Sequence, residues 1–325
     1  MHLTHRMPRG RQLSLLSVLF MALAVSFWAC NTADNDDNLP PRQTVAEFIA
    51  SNNRFTLLTA AINRAGLATT LSGAGPYTVL APSDDAFRVA GFADVAAINA
   101  APDTTLRRIL QYHVLTSLVP SSSVVTGQPA LAVPTSVSTA GSVYLTRVAS
   151  NSLSVNEAHV LQEDGLATNG VVYAIDRVLT PPSGNILQVV QRDTTLSLLA
   201  RAATRGGTAV VSALSGTTPL TIFAPTNAAF RAIGYTSAVI DTVNLARLTS
   251  VLTYHVIPSV RAYSPTLTNG AVLTTFQSGT VSVGVSATGV TVTGRGNGTN
   301  ASNVTTPNIN ATNGVIHKID RVLLP

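Results

Sequence analysis

In 325 residues there is one cysteine, one tryptophan and one lysine. With Cys30 alone, no internal disulfide can form, so stability must come from a packed core. Cys30 and the single lysine, Lys318, leave almost no basis for thiol or Schiff-base chemistry. Charged residues make up 11% of the chain and aromatic residues 5%. The sequence contains no G-x-S-x-G, S-x-x-K or H-E-x-x-H pattern and no glycine-rich phosphate or dinucleotide loop. These absences predict a protein that is not an enzyme and holds no cofactor and no metal. A hydrolase with an unrecognised site is the weakest alternative. The formal net charge is +5, but Arg6, Arg9 and Arg11 supply three of those charges, leaving +2 beyond them. No basic stripe is present, so no nucleic-acid partner is expected.

What the chain does have is apolar residues, 46% of the total. One apolar run, residues 13–29, follows a basic start and ends at Cys30. That is a secretory signal, residues 1–29, which is excluded from the fold. A lone cysteine behind a small residue, Ala29, resembles a bacterial lipoprotein signal. The resemblance implies a lipid on Cys30 and a membrane contact through it, although Phe27 and Trp28 depart from the usual pattern. The alternative is an uncleaved anchor, short against the ~20 residues that span a bilayer. Residues 30–41 are polar and acidic and end in two prolines, which predicts a disordered tether. Asp34, Asp36 and Asp37 resemble the acidic surface-export signal of Bacteroidota lipoproteins; a plain solvated spacer reads equally well. The expected location is the cell envelope, as an outer-membrane lipoprotein facing outward, with the periplasmic face or secretion as alternatives.

The rest of the chain is written twice. Residues 78–87, TVLAPSDDAF, return at 221–230 as TIFAPTNAAF. Residues 110–114, LQYHV, return at 252–256 as LTYHV, and 167–179, ATNGVVYAIDRVL, return at 311–323 as ATNGVIHKIDRVL. Three ordered blocks at nearly one offset, 142 to 144 residues, indicate a tandem duplication rather than a short-period solenoid. The boundaries follow as 42–180 and 185–325, joined by a Pro-Pro-Ser-Gly linker at 181–184, which is too short for free tumbling.

Within each copy the first block predicts a strand stopped by proline, then a helix capped by Ser83-Asp84 or Thr226-Asn227, with Phe87 or Phe230 in the core. Val45, Ile49, Leu58 and Ile62 recur at helical spacing, with Gly66 as a stop. Asp103 and Asn244 are candidate caps for the helices that lead into the Tyr-His pairs. Val143, Leu145, Leu153, Val155, Val171, Tyr173 and Ile175 alternate as strands do, as do their later counterparts. Helices first and antiparallel strands later predict an α+β class.

These blocks resemble the fasciclin domain family over about residues 41–325. The resemblance implies two tandem fasciclin-like domains, each with N-terminal helices on a β-sandwich-like, antiparallel strand core. One departure is Tyr173, where the family usually has the histidine that the second copy keeps as His317. In animal relatives the Tyr-His pair has been tied to adhesion, which marks Tyr112, His113, Tyr254 and His255 as possible adhesion contacts. The blander reading is a histidine whose ring nitrogens bond to backbone. An Asp-Ile integrin-contact motif would align with Asp164-Gly165 and Asn308-Ile309, and neither copy keeps it. Asp176-Arg177 and Asp320-Arg321 read as structural charge. Glu157 and His159 are too few for a metal site. The polar loop 294–305 is the best exposed candidate for ligand contact in the second copy. The implied function is binding at the cell surface, with extracellular matrix, polysaccharide or a cell-surface protein as partner. The rival is a periplasmic or outer-membrane accessory protein, structural or glycan-handling, without an adhesive role.

Overall fold

The computed structural model describes residues 43–137, 141–148 and 151–325. The signal, Cys30 and the tether lie outside the described residues.

The first repeat opens with three helices, α1 (Val45–Ser51), α2 (Thr56–Arg64) and α3 (Ala68–Ser72). Thr44 and Glu47 form a reciprocal capping box that starts α1. Strand β1 (Tyr77–Pro82) then meets the proline stop and turns into α4 (Asp84–Val89). Ser83 caps α4 by accepting the Ala86 N–H at 3.2 Å. Asp84 does something else: it accepts the Leu57 N–H at 2.8 Å and so serves the first turn of α2. The corner thus ties two helices to one strand end. Phe87 is 1% exposed, and its ring meets Phe92 edge-on. Helices α5 (Val95–Ala100) and α6 (Asp103–Tyr112) follow. The cap of α6 is Pro102 rather than Asp103, because the chain enters the helix one residue early. Asp103 pairs instead with Arg64 at 2.6 Å, in solvent, where such a pair is worth little.

The strands after α6 are β2 (Val114–Leu115), β3 (Leu131–Pro134), β4 (Ser142–Arg147), β5 (Leu153–Val155), β6 (Ala158–Ala167) and β7 (Gly170–Ile175). Their order in the sheet is β2-β1-β7-β6-β5-β4-β3. The sheet is not wholly antiparallel, because β1 and β7 run parallel, Tyr77 beside Gly170 and Pro82 beside Ile175. The helices and hairpins between them form a long crossover, which a parallel pair requires. The two ends of the sheet curl toward each other. Leu115 bridges to Thr135, and the Ser136 N–H donates to the Val114 carbonyl at 2.8 Å, so the sheet is nearly a barrel.

This curl explains why β1 and β7 are buried on both faces. Val79, Ala81, Val172 and Ala174 pack under the helices with Ile49, Leu58 and Phe87. Leu80, Val171, Tyr173 and Ile175 face the other way, against Val143, Leu145, Leu153 and Val155.

The second repeat follows the same plan. Its helices are α7 (Ile186–Arg192), α8 (Ser197–Arg205), α9 (Thr208–Ser215), α10 (Asn227–Ala232), α11 (Ser237–Thr242) and α12 (Leu245–Tyr254). Its strands are β8 (Leu220–Pro225), β9 (Val256–Pro258), β10 (Val272–Thr274), β11 (Thr280–Ser286), β12 (Gly289–Gly294), β13 (Ser302–Ala311) and β14 (Gly314–Ile319). The order is β10-β11-β12-β13-β14-β8-β9, with β8 and β14 parallel. Thr226 caps α10, while Asn227 accepts the Leu198 N–H at 2.9 Å, repeating the double corner. Asn244 caps α12 as expected.

Candidate functional site

The Tyr-His pairs lie inside the fold. Tyr112, His113, Tyr254 and His255 are each 1% exposed. His113 Nε2 accepts the Leu179 N–H at 2.9 Å, so its proton sits on Nδ1, which donates to the Ile109 carbonyl at 2.8 Å. His255 repeats this with Leu323 and Val251. Burial lowers both imidazoles from 6.5 to about 4, so they are neutral. Each ring staples the end of its repeat to its longest helix. The Tyr254 hydroxyl donates to the Thr280 carbonyl and accepts the Arg295 N–H at 2.9 Å. No ring of the four is presented to a partner.

The Asp-Ile position is also internal bracing. Asp164 and Asn308 both have positive φ, at bulges in β6 and β13. Asp164 accepts the Ser121 N–H at 3.0 Å and the Tyr173 hydroxyl at 3.0 Å. The same Tyr173 hydroxyl lies 2.6 Å from the Val119 carbonyl, so its single proton is shared between two acceptors. Asn308 accepts the Ser264 N–H at 2.7 Å, and its own N–H donates to His317 Nδ1 at 3.3 Å. His317 Nε2 then donates to the Ala262 carbonyl at 2.8 Å. The Tyr-for-His departure is thus matched by Asp-for-Asn at the residue that faces it. Burial also lowers His317 to about 4.

The other candidates divide between bracing and surface. Asp176 and Asp320 accept the N–H groups of His159 and Asn303, fixing the starts of β6 and β13. Lys318 is paired with Asp193 and donates to Thr195 at 2.9 Å. Loop 294–305 is shorter than its composition suggests. It contains a 3-10 turn, Arg295–Asn297, and Asn297 is spent inside the fold, accepting the Leu324 N–H at 2.8 Å and donating to the Val322 carbonyl at 2.9 Å. Among the described residues, no group of three His, Cys, Asp or Glu side chains could hold a metal.

A cleft of about 530 Å³ lies between the repeats. Val89, Glu157, Arg177 and Thr180 line it from the first repeat, and Asn308 and Asn310 from the second. Beside it the repeats are bolted together. Asn310 donates to the Thr180 carbonyl at 3.1 Å and accepts the Tyr263 hydroxyl at 2.6 Å. Arg108 donates to the Pro182 carbonyl at 2.9 Å. The Arg261 guanidinium stacks 4.6 Å above the Tyr144 ring, while its Nη groups donate to the Ala311, Thr312 and Gly314 carbonyls. Glu157 is buried in the cleft wall and stands where the second repeat has Asn297. One of its carboxyl oxygens has no partner. Burial pushes the carboxyl up to about 7, against the pull of the Thr180 N–H and Arg177.

Sequence reasoning missed this junction. Arg261 and Asn310 correspond to Leu118 and Leu166 in the first repeat, which are 53% and 61% exposed. The contrast between a charged-and-amide pair and two leucines at matched positions is visible in the aligned copies, but nothing local says which copy's face is covered.

The fasciclin domain profile matches residues 53–181 and again 194–325. The chain belongs to the fasciclin domain family. Protein sll1483 of Synechocystis is 36% identical over 141 residues, covering 43% of this chain and 74% of that protein. Human periostin is 27% identical over 257 residues, 78% of this chain and 29% of periostin. Transforming growth factor-beta-induced protein ig-h3 of Sus scrofa is 27% identical over 255 residues, 78% of this chain and 35% of the relative. The fasciclin pair therefore spans about a third of the length of either animal protein. Among solved structures, a FAS1 domain pair from the insect cell adhesion molecule fasciclin I is similar, with a TM-score of 0.41 and 21% identity over 83% of this chain and 96% of that one.

Proposed function

We propose that this fasciclin pair is a binding protein of the cell envelope, held to the membrane by a lipid on Cys30 and adhering to matrix, polysaccharide or neighbouring cells. A general adhesive role is supported by membership of the fasciclin domain family. The observation that carries the reading on this chain is the pair Leu118 and Leu166. The first repeat exposes two leucines on the face by which the second repeat, through Arg261 and Asn310, docks onto its neighbour. Two exposed leucines at the positions that make the domain contact in the other repeat support an interaction surface there. The rigid junction holds the two repeats at one separation, so weak contacts by both add as avidity.

The test is retention of the protein on a cell-wall and matrix fraction. Leu118→Asp with Leu166→Asp should cut retention at least tenfold without changing the melting curve, because both side chains are exposed. Equal retention would remove this face from the reading. Surface proteolysis of intact cells separates an outward location from a periplasmic accessory role. Cys30→Ser should release the protein from membranes or leave it unprocessed; unchanged lipid labelling and fractionation would overturn the anchor.

A further inference from the structure

The second repeat holds a pocket of about 190 Å³ within its helical layer. Leu199 and Ala203 of α8, Val210 and Leu214 of α9, and Leu252 of α12 form its walls, and Ile222 of β8 its floor. All six are buried. The Thr253 hydroxyl at the rim is turned into its own helix, donating to the Thr249 carbonyl at 2.8 Å. The pocket therefore offers hydrocarbon and little else. At its mouth lies Phe276, 54% exposed.

The first repeat shows what closes this space. Helix α2 matches α8 residue for residue, and Ile62 stands where α8 has Ala203, with three more carbons. Arg107 stands where α12 has Thr249. Its guanidinium reaches back over the turn, 3.6 Å from where a Cβ on Gly66 would lie, whereas a Cβ on the matching Gly207 would meet nothing within 4 Å. Ser136 stands where the second repeat has Phe276, and its hydroxyl is tied to the Gln111 carbonyl at 2.7 Å. Three separate substitutions, all toward smaller walls or a more apolar mouth, coincide at one place in the second repeat. An unfilled apolar cavity destabilises a fold in proportion to its volume. Apolar cavities of ~150 Å³ stay dry and accept a benzene-sized guest.

We propose that this pocket is a ligand site for one small apolar molecule, an aromatic ring or a branched hydrocarbon of about six to eight carbons, with any polar group of the ligand left in solvent beside Phe276. A charged or hydroxyl-rich ligand has no partner on these walls and is excluded by desolvation. The site is independent of the leucine face and of the cleft between the repeats.

Toluene and indole are the probes, titrated into the purified protein with methyl-resolved NMR and thermal unfolding as readouts. Saturable shifts are expected at the methyls of Leu199, Val210, Leu214 and Leu252, with a rise in the melting midpoint of the second repeat. Ala203→Ile copies the first repeat and should weaken binding at least tenfold while the remaining methyl spectrum stays native. Should that variant misfold, Ala203→Val fills part of the space and should weaken binding by a smaller factor. Phe276→Ser should keep the site but speed exchange. Absence of saturable shifts overturns the proposal. So do equal shifts in the first repeat, undiminished binding by the folded Ala203 variants, or engagement only by the side chain of a partner peptide.

Discussion

The two repeats share a backbone plan and differ in how they satisfy its buried polar positions. Where the second repeat has the Asn308 N–H donating to His317, the first has the Tyr173 hydroxyl donating to Asp164. Where the second seals its end with the Asn297 amide, the first uses the Glu157 carboxyl. Each exchange keeps the shape and changes what titrates. The second repeat buries two neutral imidazoles, at 255 and 317; the first buries one, at 113, and a carboxyl. A duplicated fold can therefore hold one geometry and two different responses to pH.

The largest expected effect follows from that difference. His255 and His317 sit at about 4 in the fold and near 6.5 when exposed. As pH falls below 6.5 the unfolded chain takes up protons that the native rings refuse, so stability present above 6.5 is lost on the way to 4. Each ring is worth roughly 3 kcal/mol at pH 4, or about 6 for the pair. In the first repeat His113 loses a similar amount, but Glu157 moves the other way. Its carboxyl is raised from 4.5 to about 7, so its stabilisation is whole below 4.5 and lost as pH climbs through 7. The two nearly cancel between pH 8 and 4. Hydrogen exchange followed peptide by peptide across that range should show the second repeat opening first in acid. The comparison breaks if both repeats open together, or the first leads. His317→Tyr with Asn308→Asp, which transplants the first repeat's pair, should recover about half the acid loss.

The repeated aromatic corner comes next. Phe230 is fully buried and stacks with Tyr235. Phe230→Ala should cost the second repeat ~3–5 kcal/mol, with the first melting almost normally. An unaltered curve would mean the corner does not carry the core.

Glu157→Gln sharpens the contrast from the other side. The glutamine amide supplies the donor that Asn297 supplies to the Val322 carbonyl, and the matching acceptor in the first repeat is the Val178 carbonyl. At pH 8 the variant should gain roughly 3 kcal/mol, and at pH 4 almost nothing. A gain that does not vary with pH would show that the carboxyl is not the titrating group.

The smallest effect is at the junction. Asn310→Leu, which copies Leu166, leaves the Thr180 carbonyl and the Tyr263 hydroxyl without their partner and should cost about 1–3 kcal/mol. It should also loosen the angle between the repeats, measured by small-angle scattering. No change in either would mean that Arg261 and Arg108 alone hold the junction.

Much of this was legible in the chain. Proline stops, hydroxyl caps and the repeat itself are short-range signals, and Ser83, Thr226 and Asn244 act as they read. Asp84 and Asn227 did not, because the N–H each accepts is 27 or 29 residues away, on a helix whose position only the packed corner decides. Alternation located the strands, yet β7 and β14 bury both faces. Period two reports which residues share a face, not whether the second face is also covered. The parallel pairing was hidden for a related reason. Direction in a sheet depends on how a long crossover returns, and no local pattern records that.

The sequence alone determined the duplication, the α+β class, the family and the buried aromatic anchors, since all of these rest on local chemistry repeated in order. Only the tertiary structure decided that the Tyr-His pairs are internal staples, that Arg261 and Asn310 join the repeats while Leu118 and Leu166 stay open, and that Ala203 leaves a pocket that Ile62 does not. The physical reason is the same in each case. Whether a side chain is covered, paired or facing empty space depends on neighbours far along the chain, and burial is what sets both its energy and its charge.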